Sequence, residues 1–282
     1  MSDRMFVWLQ YLLPKQLMTM LAGKLASMRA GRLTNGFIRW FVTRYQVNLA
    51  EAENADPSSY SSFNEFFTRP LKSGARPIAN SAFVCPVDGA VSQCGAILGD
   101  QIFQAKGHQY STATLVGGDL ELAAHFQSGS FVTIYLSPKD YHRIHMPCDG
   151  RLLRMIHVPG ELFSVNPATA RGVPGLFARN ERVVCVFDSA YGPLAMVLIG
   201  ATIVGSMATV WHGLVNPPRP GRIRDWHYSE QSIVIKQGEE MGRFQLGSTV
   251  VMLFPKGTID LALGWKPELT VRLGDAMGSS IG

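Results

Sequence analysis

A serine that follows a glycine near the end of the chain, Ser248 after Gly247, has the residue types needed to cleave its own peptide bond. Glycine tolerates strained backbone, so the hydroxyl of Ser248 could attack the carbonyl of Gly247 and turn the amide into an ester. Elimination from that ester would leave dehydroalanine, which hydrolyses to a pyruvoyl group with release of ammonia. The pair therefore predicts cleavage between residues 247 and 248 and a covalent pyruvoyl cofactor derived from Ser248.

The dipeptide alone does not establish this chemistry. The sequence contains three further glycine–serine pairs: Gly129-Ser130, Gly205-Ser206 and Gly278-Ser279. Glycine and serine are also common in turns at the ends of strands. An ordinary turn before the apolar run 250–254 is thus the alternative, and the choice depends on the residues that accompany Ser248.

Two other segments supply the side chains that the reaction needs. One is a turn-like segment with the carboxylate of Asp88, and the other is the block 135–147 with His142 and His145. An imidazole suits proton removal from Ser248, because its ordinary pKa of about 6.5 lies near neutral pH. A carboxylate can hold the ring in the useful tautomer and stabilise its charged form, as in a protease triad. The spacing does not decide which histidine is the base.

Together these segments resemble the phosphatidylserine decarboxylase family, most closely its bacterial, membrane-associated branch. Blocks in a fixed order carry the resemblance and cover most of residues 63 to 256: 63–67, 76–78, 86–89, 104–107, 110–111, 135–147, 200–206 and 238–249. The resemblance implies a pyruvoyl-dependent enzyme of phospholipid biosynthesis, which converts phosphatidylserine into phosphatidylethanolamine and carbon dioxide.

The resemblance also implies roles for individual residues. Asp88, His145 and Ser248 would perform the self-cleavage, with His145 as the base because the second histidine of the block matches the family's base. The pyruvoyl group at position 248 would form a Schiff base with the amine of the serine headgroup and withdraw electrons as carbon dioxide leaves. We assign His142 to reprotonation of the resulting carbanion. A histidine that only shapes the loop by hydrogen bonding is the alternative.

Four other interpretations stay open. His142 and His145 could bind zinc with Asp140 or Asp149, but only spacing favours this and we expect no metal. The same carboxylate, imidazole and hydroxyl could form a serine hydrolase, although the serine segment lacks the second glycine of a nucleophile elbow. A pyruvoyl decarboxylase of a free amino acid is the third. The fourth is a peripheral membrane protein with a catalytically silent turn.

Basic residues are concentrated at the N-terminus. Residues 1–50 hold seven Lys or Arg and a single acidic residue, whereas the whole chain has a net charge of +5. The basic residues alternate with apolar clusters, and Leu17, Leu21, Leu25 and Met28 fall on one helical stripe. The uncharged stretches are shorter than the roughly 20 apolar residues of a membrane-spanning helix.

This composition is typical of a segment that lies on a membrane surface and contacts anionic phospholipid headgroups. We expect peripheral association with the cytoplasmic side of the cell membrane, which would contain the substrate phosphatidylserine. Helices that pack on the protein's own core or on a partner subunit are the alternative. Nucleic acid is not expected as a partner, because the segment lacks a reading motif and an aromatic stacking platform.

The pattern of elements divides the chain into three parts. Residues 1–50 form the amphipathic helical segment, residues 51–62 are a polar connector, and residues 63–282 form the catalytic domain. Runs typical of strands, rich in Val, Ile and Thr, follow in the catalytic domain: 131–136, 183–187, 194–204, 232–235, 249–254 and 269–273. We expect a mainly β (α+β) fold, with a sandwich- or barrel-like catalytic core preceded by N-terminal amphipathic helices.

Cleavage would give a large chain, 1–247, and a small chain, 248–282. The two should stay together as a heterodimer, because the run 249–254 has the composition of a core strand. Dimers of this unit are also expected. The cysteines at positions 85, 94, 148 and 185 are predicted to be thiols, since their spacing is irregular. Residues 104–111 are predicted to be a lid over the active site or an ordinary surface turn.

Overall fold

Three N-terminal helices precede a β-rich body in the computed structural model of the protein, which describes residues 3–203, 206–245 and 249–281. The α-helices of the described residues are α1 Asp3–Leu12, α2 Lys15–Ser27, α3 Arg32–Tyr45, α4 Phe63–Phe67, α5 Thr112–Leu115, α6 Leu120–Ala124, α7 Pro167–Gly172 and α8 Leu176–Arg179. A short 3-10 helix, Pro57–Ser59, lies between α3 and α4. The three-part division at residues 50 and 62 stays a prediction.

The strands of the described residues belong to four sheets. In chain order they are β1 Phe83–Val84, β2 Gly89–Ala96, β3 Gln101–Ala105, β4 His108–Ser111, β5 Ser130–Tyr135, β6 Arg143–His145, β7 Gly150–Val158, β8 Arg182–Ser189, β9 Gly192–Ile199, β10 Met207–Thr209, β11 Gly213–Asn216, β12 Arg224–His227, β13 Val234–Ile235, β14 Glu240–Phe244, β15 Thr249–Phe254, β16 Ile259–Leu261, β17 Thr270–Val271 and β18 Ala276–Ser280. The mainly β (α+β) fold class is confirmed.

The largest sheet is antiparallel and has nine strands. Its order is β12-β7-β8-β9-β15-β5-β2-β17, with β13 also paired to β7. Strand β15 lies between β9 and β5 and is buried along its whole length. Val250 and Met252 point into one hydrophobic cluster, while Val251 and Leu253 point into another. Both faces of this sheet are therefore covered, which explains why the strand is an uninterrupted apolar run.

Two smaller sheets cover one face and make the body a sandwich. They are a four-stranded sheet of order β11-β10-β14-β6 and a three-stranded sheet of order β1-β18-β16. Met207, Met241 and Met277 from these sheets share a cluster with Met252. The other face carries the hairpin β3–β4 and the short helices α5 to α8, which fill the second cluster.

The strand predictions differ from the structure mainly at their ends. The run 249–254 is strand β15, with the same bounds. The predicted run 194–204 is longer than strand β9, which ends at Ile199. After the strand end, the carbonyl of Gly200 accepts a hydrogen bond from the Asn180 side chain at 2.8 Å. The last run, 269–273, contains only the short β17.

Residues 104–111 belong mostly to the hairpin β3–β4, and its exposed turn at Lys106 and Gly107 fits the surface-turn alternative. The lid alternative is not supported, because the residues on either side of this turn are anchored to the body. The side chain of Gln104 is fully buried and donates to the carbonyls of Ala170 and Val173, at 2.7 and 2.8 Å. Tyr110 is buried in the second hydrophobic cluster. These contacts fix the segment to the body as the hairpin β3–β4, because buried polar groups are held by hydrogen bonds. Each of the four cysteines carries a free thiol, as predicted.

The N-terminal helices pack on the body through one set of side chains and expose another. Ile38 and Phe41 of α3 join Phe63 and Phe66 of α4 in a third hydrophobic cluster. Lys15 is also buried, where its ammonium contacts Glu161 at 3.2 Å and lies 4.1 Å from the centre of the Phe163 ring. In the described part of the chain, no helix is long and apolar enough to cross a membrane.

Candidate active site

A tight turn positions the histidine block. The carboxylate of Asp140 accepts hydrogen bonds from the backbone N–H and the hydroxyl of Ser137, both at 2.7 Å. This turn joins the end of β5 to Tyr141 and His142, after which β6 begins. An aspartate that bonds back to its own loop fixes the conformation of that loop. The turn therefore fixes the backbone immediately before His142.

His142 is fully buried and has one ring nitrogen without a partner. Its Nδ1 lies 2.8 Å from the carbonyl oxygen of Asp140. Since a carbonyl only accepts, Nδ1 carries the proton of the neutral ring and Nε2 keeps a lone pair. This Nε2 is buried and has no hydrogen-bond partner among the described residues. Burial, together with the nearby charge of Arg69, lowers the pKa of His142 to about 3, so the ring is neutral at neutral pH.

His145 is held at both ring nitrogens. Its Nδ1 lies 2.8 Å from the carbonyl oxygen of Gly238, so Nδ1 donates. Its Nε2 lies 3.1 Å from the hydroxyl of Tyr141, which donates to it. Burial lowers the pKa of His145, and the Gly238 carbonyl acts in the opposite direction. We expected Asp88 to orient this ring, but in the structure the carbonyl of Gly238 occupies that nitrogen.

Asp88 is buried and held by an arginine instead. The guanidinium of Arg76 contacts both carboxylate oxygens, with Nε 2.9 Å from Oδ1 and Nη2 2.5 Å from Oδ2. The backbone N–H of Leu273 also donates to Oδ1, at 2.9 Å. The next residue, Gly89, must be glycine, because a Cβ there would clash with the backbone carbonyl of Tyr135. Asp88 acts on His145 only through its charge in this arrangement, and this charge raises the pKa of His145.

Backbone hydrogen bonds join the histidine block to the Asp88 segment and to strand β14. The N–H of His145 donates to Pro86 of the Asp88 segment at 2.9 Å. The carbonyl of His142 accepts from the N–H of Phe244, the last residue of β14, at 3.0 Å. The predicted cleavage residues Gly247 and Ser248 lie outside the described residues. Thr249, the first described residue after them, begins β15 and has a buried hydroxyl with no partner among the described residues.

Two cavities lie beside these segments. The larger, of about 810 Å³, is a groove between α2 and the body, and its lining includes Leu17, Met20 and Gln245. The smaller, of about 210 Å³, is lined in part by Asp88 and Tyr141. The segment 64–69 contributes to the lining of both cavities, through Asn64 in the larger and Arg69 in the smaller. The same segment packs on His142 through Phe67, with 4.1 Å between the ring centres.

The zinc alternative required Asp140 or Asp149 beside the two histidines. Asp149 is paired with Lys236 at 2.8 Å, and both side chains are about half exposed or more. Within residues 3–203, 206–245 and 249–281 there is no group of three or more His, Cys, Asp or Glu side chains that could hold a metal ion.

Sequence reasoning assigned no role to three residues that contact or line the site. Arg76 holds Asp88, Tyr141 holds His145, and Arg69 lies in the smaller cavity. Arg76 and Tyr141 stand inside matched blocks, so their position in those blocks was the available signal. Arg69 lies two residues after such a block and gave no signal of its own.

Comparisons with known proteins identify the family to which the chain belongs. The family model described as phosphatidylserine decarboxylase matches residues 63–279. A second model, described as PSD, matches residues 5–46. The first match covers the body with Asp88, His142, His145 and both sides of the predicted cleavage bond.

Similar proteins from several bacteria carry the name phosphatidylserine decarboxylase proenzyme. That of Azoarcus sp. (strain BH72) is 69% identical over 278 residues, which is 99% of this chain and 96% of the relative. That of Dechloromonas aromatica (strain RCB) is 68% identical over 280 residues, 99% of both chains. That of Herminiimonas arsenicoxydans is 66% identical over 281 residues, 100% of this chain and 96% of the relative. The chain belongs to the phosphatidylserine decarboxylase family.

Proposed function

We propose that this protein is a proenzyme that cleaves itself between Gly247 and Ser248, forms a pyruvoyl group from Ser248, and decarboxylates phosphatidylserine to phosphatidylethanolamine at a membrane surface. The observation that carries the proposal is the joining of the histidine block to the Asp88 segment and to strand β14. His145 is hydrogen-bonded to the Asp88 segment, and His142 to the end of the strand that leads to the Gly247–Ser248 bond. The family and the names of the relatives support the reaction itself.

For self-cleavage we propose His145 as the base. Its Nδ1 is occupied by the Gly238 carbonyl, so a proton from the Ser248 hydroxyl would go to Nε2. The hydroxyl of Tyr141 donates a hydrogen bond to this Nε2 and would have to move away before the nitrogen could accept the proton. The charge of Asp88 favours the protonated ring, because an opposite charge nearby raises the pKa of an imidazole. Asp88 would thus assist through its field rather than through a hydrogen bond.

For decarboxylation we propose that His142 moves the proton. The buried lone pair on Nε2 and the buried hydroxyl of Thr249 are polar atoms without partners among the described residues, so they suit a site where a polar group is formed next to Thr249. The pyruvoyl group supplies an electron-withdrawing carbonyl that accepts the electron pair left behind by carbon dioxide. His142 is neutral at rest, so its Nε2 would first take up a proton from water and then transfer it to the substrate carbon.

The two cleavage products would remain one enzyme. The small chain would begin one residue before β15, and this strand is hydrogen-bonded along its length to β5 and along most of it to β9. Its side chains fill both main hydrophobic clusters. Removing such a strand would expose a large apolar surface, which opposes dissociation. We further propose that these units form homodimers, which light scattering in detergent would test.

We propose that the N-terminal helices bind the cytoplasmic surface of the cell membrane. The predicted stripe of α2 is solvent-exposed, with exposed fractions of 50% for Leu17 and Leu21 and 67% for Leu25. Trp8 of α1 and Trp40 of α3 are also more than half exposed. The structure places these apolar side chains outside the protein's own core, which supports contact with lipid. The groove beneath α2 joins this surface to Gln245, close in sequence to Ser248.

An assay of carbon dioxide release tests the function. Vesicles that contain phosphatidylserine should yield carbon dioxide with the wild-type protein and none with Ser248→Ala. The exposed Ser279 belongs to another glycine–serine pair, so Ser279→Ala should retain full activity. His142→Gln should still cleave itself, yet decarboxylate about a hundredfold more slowly, in line with the loss of a general acid–base group. Release from free serine but not from vesicles would instead indicate an amino-acid decarboxylase.

A further inference from the structure

Arg69 is a buried arginine that forms no ion pair with any residue in the described ranges. Only 3% of its surface is exposed. Its guanidinium lies 5.3 Å from the centre of the Phe66 ring. Among the residues that the structure describes, no carboxylate lies within ion-pairing distance of it. A buried charge is costly unless it is paired and hydrogen-bonded, so this residue needs an explanation.

The hydrogen bonds of Arg69 are few and long. Its Nη1 lies 3.5 Å from the Phe66 carbonyl and its Nη2 lies 3.4 Å from the Lys139 carbonyl. Both distances exceed the usual 2.7–3.2 Å range for N–H donors. The Nε is buried and has no partner within the described ranges. Most of the five N–H donors of this guanidinium are therefore poorly used.

Two other arginines show how this fold satisfies a guanidinium when the role is structural. Arg182 is equally buried and donates to four backbone carbonyls at 2.5 to 2.8 Å. Arg76 contacts the carboxylates of both Asp88 and Glu51. Arg69 has neither kind of environment. Its vacant donors point to a ligand rather than to a structural bond.

The 210 Å³ cavity provides the place for that ligand. Arg69 is part of its lining, and the acidic side chains there already have partners. Asp88 and Glu51 are paired with Arg76, while Asp140 accepts from Ser137. None of these carboxylates forms an ion pair with Arg69. An anion is the ligand that fits this charge, because guanidinium groups bind phosphate and carboxylate with paired hydrogen bonds.

The headgroup of phosphatidylserine carries two anions, a carboxylate and a phosphate. The carboxylate loses its charge as carbon dioxide departs, so an arginine bound to it would stabilise the substrate more than the transition state. The phosphate keeps its charge throughout the reaction. It is joined to the reacting carbon through three bonds and thus lies within roughly 4 Å of it. The guanidinium lies beside the histidine block, because its Nη2 is 3.4 Å from the carbonyl oxygen of Lys139, three residues before His142.

We propose that Arg69 binds the phosphate of the phosphatidylserine headgroup in the cavity between Asp88 and Tyr141. This assignment rests on the proposed function and adds the residue that holds the headgroup. Arg69 would then fix the distance between the phosphate and the catalytic histidines. The same contact would hold the product, because phosphatidylethanolamine retains the phosphate and lacks only the carboxylate.

Product inhibition provides the test. With Arg69→Gln, the KM for phosphatidylserine in detergent micelles should rise at least tenfold, and the inhibition constant of phosphatidylethanolamine should rise by the same factor. Arg69→Lys, which keeps the charge but loses the paired donors, should give a smaller rise in both. Lys72 is an exposed cation in the same segment, so Lys72→Gln should leave both constants within twofold of the wild type. All variants should still cleave themselves.

Three results would overturn the proposal. A rise in KM without any change in product inhibition would mean that Arg69 binds the carboxylate. Unchanged constants in both Arg69 variants, with a lowered melting temperature, would mean a structural role. If Arg69→Gln does not fold, Arg69→Lys and the wild-type enzyme are tested instead. Glycerophosphoethanolamine should inhibit the wild-type enzyme at a tenfold lower concentration than ethanolamine or inorganic phosphate. Equal inhibition by the three would contradict a headgroup phosphate site. Absence of any activity in the wild type would instead refute the proposed function.

Discussion

Arg76 binds both carboxylate oxygens of Asp88, with Nε 2.9 Å from Oδ1 and Nη2 2.5 Å from Oδ2. Both side chains are at least 90% buried. Its Nη2 also reaches Glu51 at 2.7 Å. The two acidic side chains raise the pKa of Arg76 above its ordinary value, mainly through the hydrogen bond to Asp88. Arg76 therefore determines where the charge of Asp88 lies relative to His145.

Replacing Arg76 should disturb both folding and self-cleavage. Arg76→Gln leaves the buried carboxylate of Asp88 without its cation, and breaking a buried pair costs about 3 kcal/mol. We expect urea unfolding to show this loss, and a time course of newly made protein to show about tenfold slower cleavage. Arg272 also contacts Glu51, at 3.3 Å, but is largely exposed. Arg272→Gln should cost less than about 1 kcal/mol, and an equal effect of the two substitutions would refute the role of Arg76.

The hydroxyl of Tyr141 should matter to the rate of self-cleavage. Tyr141→Phe removes the donor to Nε2 of His145, a hydrogen bond with a net contribution of about 1 kcal/mol. The ring loses one of the two contacts that fix it, so we expect cleavage to slow about fivefold, measured by densitometry of denaturing gels. Tyr191→Phe, in the turn between β8 and β9, is the matched control. Cleavage at the wild-type rate in Tyr141→Phe would show that the Gly238 carbonyl alone orients His145.

The buried His142 should make the protein less stable in acid. Its pKa is about 3 in the folded state, against an ordinary value of about 6.5 in the unfolded chain. Above pH 6.5 neither state binds the proton, so this group leaves stability unchanged there. As the pH falls from 6.5 towards 3, the unfolded state gains a proton that the folded state refuses. Its contribution to the free energy of unfolding should then fall by about 1.4 kcal/mol per pH unit.

Comparison of variants isolates this effect of His142 from other titrating groups. The difference in the free energy of unfolding between the wild type and His142→Gln should shrink between pH 7 and pH 5. The exposed His125 offers a control, since His125→Gln should show the same pH dependence as the wild type. A difference between wild type and His142→Gln that stays constant over this range would contradict a neutral, buried His142.

The exposed stripe of α2 should determine membrane affinity. Leu21→Glu and Leu25→Glu each remove an apolar side chain from the proposed lipid contact, and burial of one leucine contributes about 1.5 to 3 kcal/mol. We therefore expect each to weaken binding to anionic vesicles about tenfold or more in sedimentation assays. Leu263 is fully exposed but lies outside the N-terminal helices, so Leu263→Glu should bind normally. Wild-type affinity in the α2 variants would place the membrane contact elsewhere.

Local sequence patterns predicted the fold class well, because strand composition and burial are local properties. Strand β15 was predicted with its full bounds, since both of its faces are buried and the run contains no polar interruption after Thr249. Lys15 is one of the seven basic residues of the N-terminal segment, yet its side chain is buried against the body. The acceptor Glu161 and the ring of Phe163 are distant in sequence, so no periodic pattern could reveal that they accommodate a buried ammonium.

The candidate site was predictable in its residue types but not in its hydrogen bonds. Asp88 and His145 resemble two members of a catalytic triad, and so sequence reasoning joined them directly. The Gly238 carbonyl is 93 residues from His145 and meets it where β14 pairs with β6. Arg76 lies 12 residues before Asp88, in a segment without regular secondary structure. Sequence spacing contains no signal for such contacts. The same reason hid Arg69, whose importance appears only when its surroundings are known.

Intact mass of the purified protein tests the central claim most directly. We predict two chains, separated between residues 247 and 248, that co-purify until they are denatured. The smaller chain should have a blocked N-terminus and the mass expected for an N-terminal pyruvoyl group. Ser248→Ala should remain a single chain of 282 residues, and Ser279→Ala should cleave as the wild type does. A wild-type protein that stays whole after prolonged incubation in detergent, or a Ser248→Ala variant cut at the same bond, would contradict the account.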